Sequence, residues 1–128
     1  MAPAAPLNLL IYLLLLACLS SRGTVLSQPC GPSNIQVNQH LSGAREALDS
    51  EFVVEIKNAC ACSQGDVRIY APGFVSQKLV DPRVFRPDGG TFLVNGGNPI
   101  PAGSTVKFSY WWDRASRFYP ASSLPRCP

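Results

Sequence analysis

A single histidine, His40, stands in the whole chain. With no second imidazole there is no His-rich zinc cage, and the one present sits in the polar stretch "NQHLSG", a solvated setting that suits a general base poorly. Phosphate-binding loops are missing too. Gly89-Gly90 and Gly96-Gly97 are not followed by a lysine and a helix-forming run, the context a glycine-rich loop needs to cradle phosphate. Asn34, Asn38, Asn58, Asn95 and Asn98 all lack Ser or Thr two residues on, so nothing points to N-glycosylation. Positive charge is present but not concentrated. A net +3 from scattered residues and a pI near 8.7 are too mild to imply nucleic acid. Asp66, Asp81, Asp88 and Asp113 fall in or near turn sequences, where a carboxylate bonds backbone amides rather than doing acid–base work. Neither catalysis nor a cofactor is expected, and no metal.

Long helices are absent as well. Twelve prolines spread among short apolar stretches leave room for little more than a turn or two, with "SGAREALDS" (42–50) as either such a turn or an exposed loop. The one extended apolar run is "LNLLIYLLLLACLSS" near the start, roughly a dozen apolar residues followed by small ones, too short to span a bilayer comfortably. It reads as a cleavable signal peptide over residues 1–27, with cleavage between about 20 and 27. The string "LLAC" at 15–18 has the form of a lipobox, but no basic residue precedes the apolar run. After cleavage the chain would be secreted, with no segment left to insert into a membrane.

Five cysteines are an awkward number for a secreted chain, and the leader accounts for one of them, Cys18. Cys30, Cys60, Cys62 and Cys127 remain, an even set entering an oxidising compartment, and so two disulfides. A Cys60–Cys62 bridge would close a ring too small for ordinary disulfide geometry. Two pairings stay open, each tying Cys60 and Cys62 to the outer Cys30 and Cys127. Cys-x-Cys can also hold zinc, but no second close pair of ligands is available.

Period two dominates the rest. Phe52, Val54 and Ile56 alternate with Glu55 and Lys57, and Val106, Phe108, Tyr110 and Trp112 alternate with Lys107, Ser109 and Trp111, which predicts half-buried strands. Shorter candidates are "NIQVNQ", "DVRIY", "FVSQKLV", "RVFR" and "TFLVN", separated by "SQGD", "PDGG", "NGGNPIPAGS" and "YPASSLP" as turns. Six to eight short strands predict an all-β fold, a small disulfide-bonded β-sandwich over residues 28–128.

The ordered strings "VEIKNAC", "GF", "LVDPRVFR", "LVNGGNPIPAG", "FSYWW" and a cysteine near the end resemble those of plant tapetum-determinant-like proteins, from about Cys30 to Cys127. The eight-residue "LVDPRVFR" is the most specific of them. The resemblance implies a small secreted protein acting as ligand of a leucine-rich-repeat receptor kinase in the apoplast, in cell-fate specification during anther development. It also implies a third bridge, with one cysteine near the "GF" and one just before "LVN". Here those places read Tyr70-Ala71-Pro72 and Phe92. Loss of both is what a normally paired set would show, and Phe92 could replace the bridge by packing.

Arginine and aromatic side chains most often carry interface energy, which makes Phe74, Arg83, Phe85, Arg86 and Trp111 the candidate receptor contacts. Each has a plainer reading: Phe85 in the core, the arginines paired with Asp81 or Asp88, Trp111 covered by another part of the chain. The alternative function is a wall-associated carbohydrate-binding or structural module, with Tyr110, Trp111 and Tyr119 as an aromatic platform for sugar rings.

Overall fold

The computed structural model describes residues 29–128; the expected leader, with its expected cleavage region and Cys18, lies outside them. Seven strands form two antiparallel sheets, as the period-two pattern predicts. β1 (Ile35–Glu46), β2 (Asp49–Asn58) and β6 (Thr105–Trp112) make a three-stranded sheet in the order β1-β2-β6. The second sheet has the order β4-β5-β3-β7, from β3 (Ser63–Tyr70), β4 (Phe85–Asp88), β5 (Thr91–Val94) and β7 (Tyr119–Arg126). No helix among the described residues is long and apolar enough to cross a membrane.

Alternation puts the core where the two sheets face each other. Phe52, Val54 and Ile56 of β2 and Phe108 and Tyr110 of β6 pack against Val67 and Ile69 of β3, Phe85 of β4 and Val94 of β5. Side chains one residue away in each strand point outward, so a single register error would exchange core for surface. The register is set by long ladders, Ile35↔Asn58 through Glu46↔Asp49 on one side of β2 and Ser50↔Trp112 through Lys57↔Thr105 on the other.

Four segments depart from the sequence-based expectation, and the first is "SQGD", which is not a turn but the start of β3, paired with β7 through Ser63↔Arg126, Gln64↔Pro125 and Gly65↔Leu124. Residues 42–50 form neither a helical turn nor a loop: β1 runs on to Glu46, turns through Ala47 and Leu48, and returns as β2. Pairing with β2 outweighs the helix propensity of Ala44, Arg45 and Glu46, and the ladder absorbs a register shift between Leu41 and Arg45, where Gly43 takes φ +98°. "FVSQKLV" is not a strand. It runs as a loop beside β6, where Gln77 N–H donates to the Trp111 carbonyl (2.8 Å) and Trp111 N–H to Ser76 Oγ (3.0 Å), covering part of an open sheet edge. "YPASSLP" is not a turn but most of β7. Pro120 and Pro125 are tolerated because β7 is an edge strand, bonded on one side only.

Of the two pairings left open, the structure has Cys30–Cys60 and Cys62–Cys127, with sequence separations of 30 and 65. Both bridges gather at the β2–β3 connection and hold the two ends of the domain against it. Beneath them lies Asn58, fully buried. Its Oδ1 accepts from Cys60 N–H (3.0 Å) and Gln64 Nε2 (3.1 Å), and its Nδ2 donates to the carbonyls of Cys62 (2.8 Å) and Ile100 (2.9 Å). Both donors and both acceptor positions of the amide are used. Gln64 Oε1 in turn accepts from Ser123 Oγ at 2.6 Å, extending the network to β7.

Candidate functional site

The segment "DPRVFR" is a tight turn leading into β4. Val84 N–H and Phe85 N–H both donate to the Asp81 carbonyl (3.0 and 3.1 Å), while the Asp81 carboxylate accepts from the Arg83 backbone (2.9 Å), Arg83 Nε (3.1 Å) and a terminal Arg83 nitrogen (2.9 Å). The Arg83 side chain is the first cause, and its backbone N–H the second, of a carboxyl held below the ordinary aspartate range. The Arg83 side chain is 88% exposed, with its fork already occupied by Asp81. Arg86 projects outward from β4, exposed, and has no carboxylate within ion-pair distance among the described residues.

Phe85 between them is a core residue, only 2% exposed, which corrects its place among the contact candidates. Its ring stacks on Phe92 (4.6 Å between centroids) and Phe108 (4.3 Å). It anchors the turn that displays the arginines and has almost no surface of its own to offer. Phe74 is likewise drawn inward. Gly73 adopts φ +71°, Phe74 N–H donates to the Ala71 carbonyl (3.2 Å), and the chain reverses so that Phe74 enters the core edge-on. It meets Phe85 (5.4 Å), Phe92 (5.3 Å), Tyr110 (5.2 Å) and Phe118 (5.8 Å), the hub of an aromatic cluster that sequence reading missed because its members come from five separate segments. Phe92, at a place where the family resemblance implies a cysteine, packs directly on the phenylalanine of the "GF" turn.

Trp111 is half-buried on the outer face of β6, with Lys78 Nζ 4.0 Å above its ring and that lysine held 2.6 Å from Glu46. Tyr110, next to it, is fully buried, stacked on Phe52 at 5.0 Å. Its hydroxyl donates to Gln39 Oε1 (2.5 Å) and accepts from Ser116 N–H (2.8 Å), and burial pushes its pKa up. Tyr119 lies on the other sheet. The three residues of the supposed sugar platform therefore share no face: one is core, one is capped by a cation, and one is on the opposite side of the sandwich. His40 is exposed on β1, opposite Val53.

The sulfurs of Cys30, Cys62 and Cys127 lie within 4.8 Å of one another because the two bridges abut, and each already has its disulfide partner. What this end contributes is rigidity, through two covalent closures and a saturated amide at one point.

The arrangement defines a small disulfide-stapled β-sandwich that displays arginine on a turn anchored in an aromatic core. The family model described as "Tapetum determinant 1, C-terminal" matches residues 31–127, and the chain belongs to that family. Among its relatives, TPD1 protein homolog 1 of Arabidopsis thaliana is 32% identical over 88 residues, covering 66% of this chain and 49% of the relative. TPD1 protein homolog 1A of Oryza sativa subsp. japonica is 38% identical over 68 residues, covering 46% of this chain and 30% of the relative. The aligned part thus spans half or less of the length of these curated relatives. No solved structure matches the chain.

Proposed function

We propose that this protein is a secreted ligand of a plant leucine-rich-repeat receptor kinase, acting in the apoplast by binding rather than by catalysis, in cell-fate specification during anther and reproductive development. The observation that carries the reading is the "DPRVFR" turn. Phe85 is locked into the core while Arg83 and Arg86 on either side project into solvent, a pre-organised display that costs little entropy on docking. The two bridges make the frame rigid, which suits a partner with a long concave surface that does not refold around its ligand.

The test is binding of the oxidised protein to purified leucine-rich-repeat receptor ectodomains, with a reduced sample and cell-wall glycans as parallel probes. Saturable binding to one ectodomain, lost on reduction, is the expected result. Binding to glycans alone would replace the ligand reading with the wall-module one. An Arg83→Ala, Arg86→Ala double variant is expected to bind at least about tenfold more weakly, given the usual weight of interface arginines. Unchanged affinity would remove this turn from the interface.

A further inference from the structure

The outer face of the four-stranded sheet carries groups that neither the core nor the "DPRVFR" turn uses. Register places Arg86, Leu93, Arg68 and Ser122 side by side across β4, β5, β3 and β7, a row of about 14 Å at about 4.8 Å per strand. Further along, Tyr70 stands opposite Tyr119. Tyr70 is 50% exposed, Tyr119 47% and Leu124 56%, and neither tyrosine belongs to the aromatic cluster of the core. A tyrosine supplies a large amphipathic contact area with few rotatable bonds, so two opposed on adjacent strands form a stiff strip.

Charge on this side is unevenly settled. Arg68 is held between Asp66 (3.3 Å) and Asp88 (3.0 Å), consuming both carboxylates of the face. Arg86 and Arg126 are exposed with no carboxylate within ion-pair distance among the described residues, and the same holds for Arg117, two residues before Tyr119. Arg126 lies across Gly65, its Nε 3.4 Å from where a Cβ would stand. The opposite outer face is balanced: Glu51 and Glu55 share it with Lys57 and Lys107, and Lys107 sits 3.9 Å from Glu55. Of the five described lysines and arginines without an ion-pair partner, three thus lie on or beside this face, Arg117 near the tyrosine pair and Arg126 at the other end of β7, while Arg45 and Lys57 lie on the three-stranded sheet. Free guanidinium forks match carboxylates bidentately.

We propose that this face, with Tyr70, Tyr119 and Leu124 as its apolar strip and Arg86, Arg117 and Arg126 as its cations, docks onto a carboxylate-bearing patch of the receptor ectodomain. The inference rests on the ligand reading above and extends it from one turn to a whole sheet face. Arg86 belongs to both, so the two surfaces are continuous.

The experiment measures affinity of the full chain, produced through a secretory host, for the panel of leucine-rich-repeat ectodomains. The variants are Tyr70→Ser/Tyr119→Ser, Arg86→Ala/Arg126→Ala and, as a control on the β1–β2 hairpin of the other sheet, Leu41→Ser/Leu48→Ser. All six positions are exposed, so thermal unfolding should match the parent and a lost fold is detected independently. The tyrosine pair should weaken binding at least about 30-fold and the arginine pair at least about tenfold, with the hairpin pair within about twofold of the parent. Parent affinity should fall as salt rises from about 0.1 M to about 1 M, where the screening length drops from about 10 Å to about 3 Å, and the arginine variant should respond less steeply. If the parent binds no ectodomain, the ligand reading fails and this surface with it. If the parent binds, and the tyrosine and arginine variants bind equally well or only the hairpin variant is impaired, the docking face alone is overturned.

Discussion

Asn58 shows how much one side chain can hold together. Its amide satisfies two backbone carbonyls, one backbone N–H and one buried glutamine, drawn from the β2–β3 connection, β3 and the segment before β6. Asn58→Ala would leave these groups buried without partners, and each orphan costs about 1–3 kcal/mol. A total loss of about 3–5 kcal/mol is expected in denaturant unfolding, allowing for partial relaxation and entry of water. Tyr110 is the residue with a pH signature. Its folded pKa is raised by burial above the ordinary value of about 10, so the unfolded chain releases the proton first as pH rises. Its contribution is intact below about pH 10 and is lost above it. Absorbance titration of the parent against Tyr110→Phe should show one phenol ionising late, in step with unfolding; ionisation at the ordinary value in folded protein would contradict the buried hydroxyl. Of these two residues, only Tyr110 was legible in the sequence, by alternation along "FSYWW". Asn58 was not, because an asparagine after a strand reads equally well as a turn residue until its four partners are brought to it.

At the scale of elements, the aromatic cluster replaces a covalent tie. β5 contributes Phe92, the turn after β3 contributes Phe74, and β4 contributes Phe85, so the four-stranded sheet and its connecting turn are joined through stacked rings. Phe92→Ala should cost about 2–4 kcal/mol, because the ring is partly buried and its removal leaves a void beside two other phenylalanines. A loss under about 1 kcal/mol in chemical denaturation would mean that the ring is not what closes this end. The strands with clean alternation, β2 and β6, could be read directly from the chain. β7 and the 42–50 hairpin could not, since their residues are exposed and proline-bearing or helix-prone. They become strands only because a neighbouring ladder offers them hydrogen bonds.

For the whole molecule, the two bridges set stability and order. Replacing Cys62 and Cys127 together by alanine frees the end of β7 and opens a 65-residue closure, for an expected loss of about 2–5 kcal/mol in thermal or denaturant unfolding. Receptor binding should weaken in the same variant, since Leu124 and Arg126 are on the released strand. Normal binding with the bridge absent would show that β7 keeps its place through its ladder alone. Sequence by itself determined the all-β class, the core faces of β2 and β6 and the likeness to the tapetum-determinant family, because each is written in local spacing. Tertiary structure alone decided which cysteines pair, that Phe74 and Phe85 turn inward while Arg86 faces solvent, that the aromatic platform is split between core and two faces, and that Arg86 and Arg126 share the outer sheet face with Tyr70 and Tyr119. Those outcomes depend on which strands become neighbours, and strand neighbours are chosen by long-range burial that no short stretch of the chain encodes.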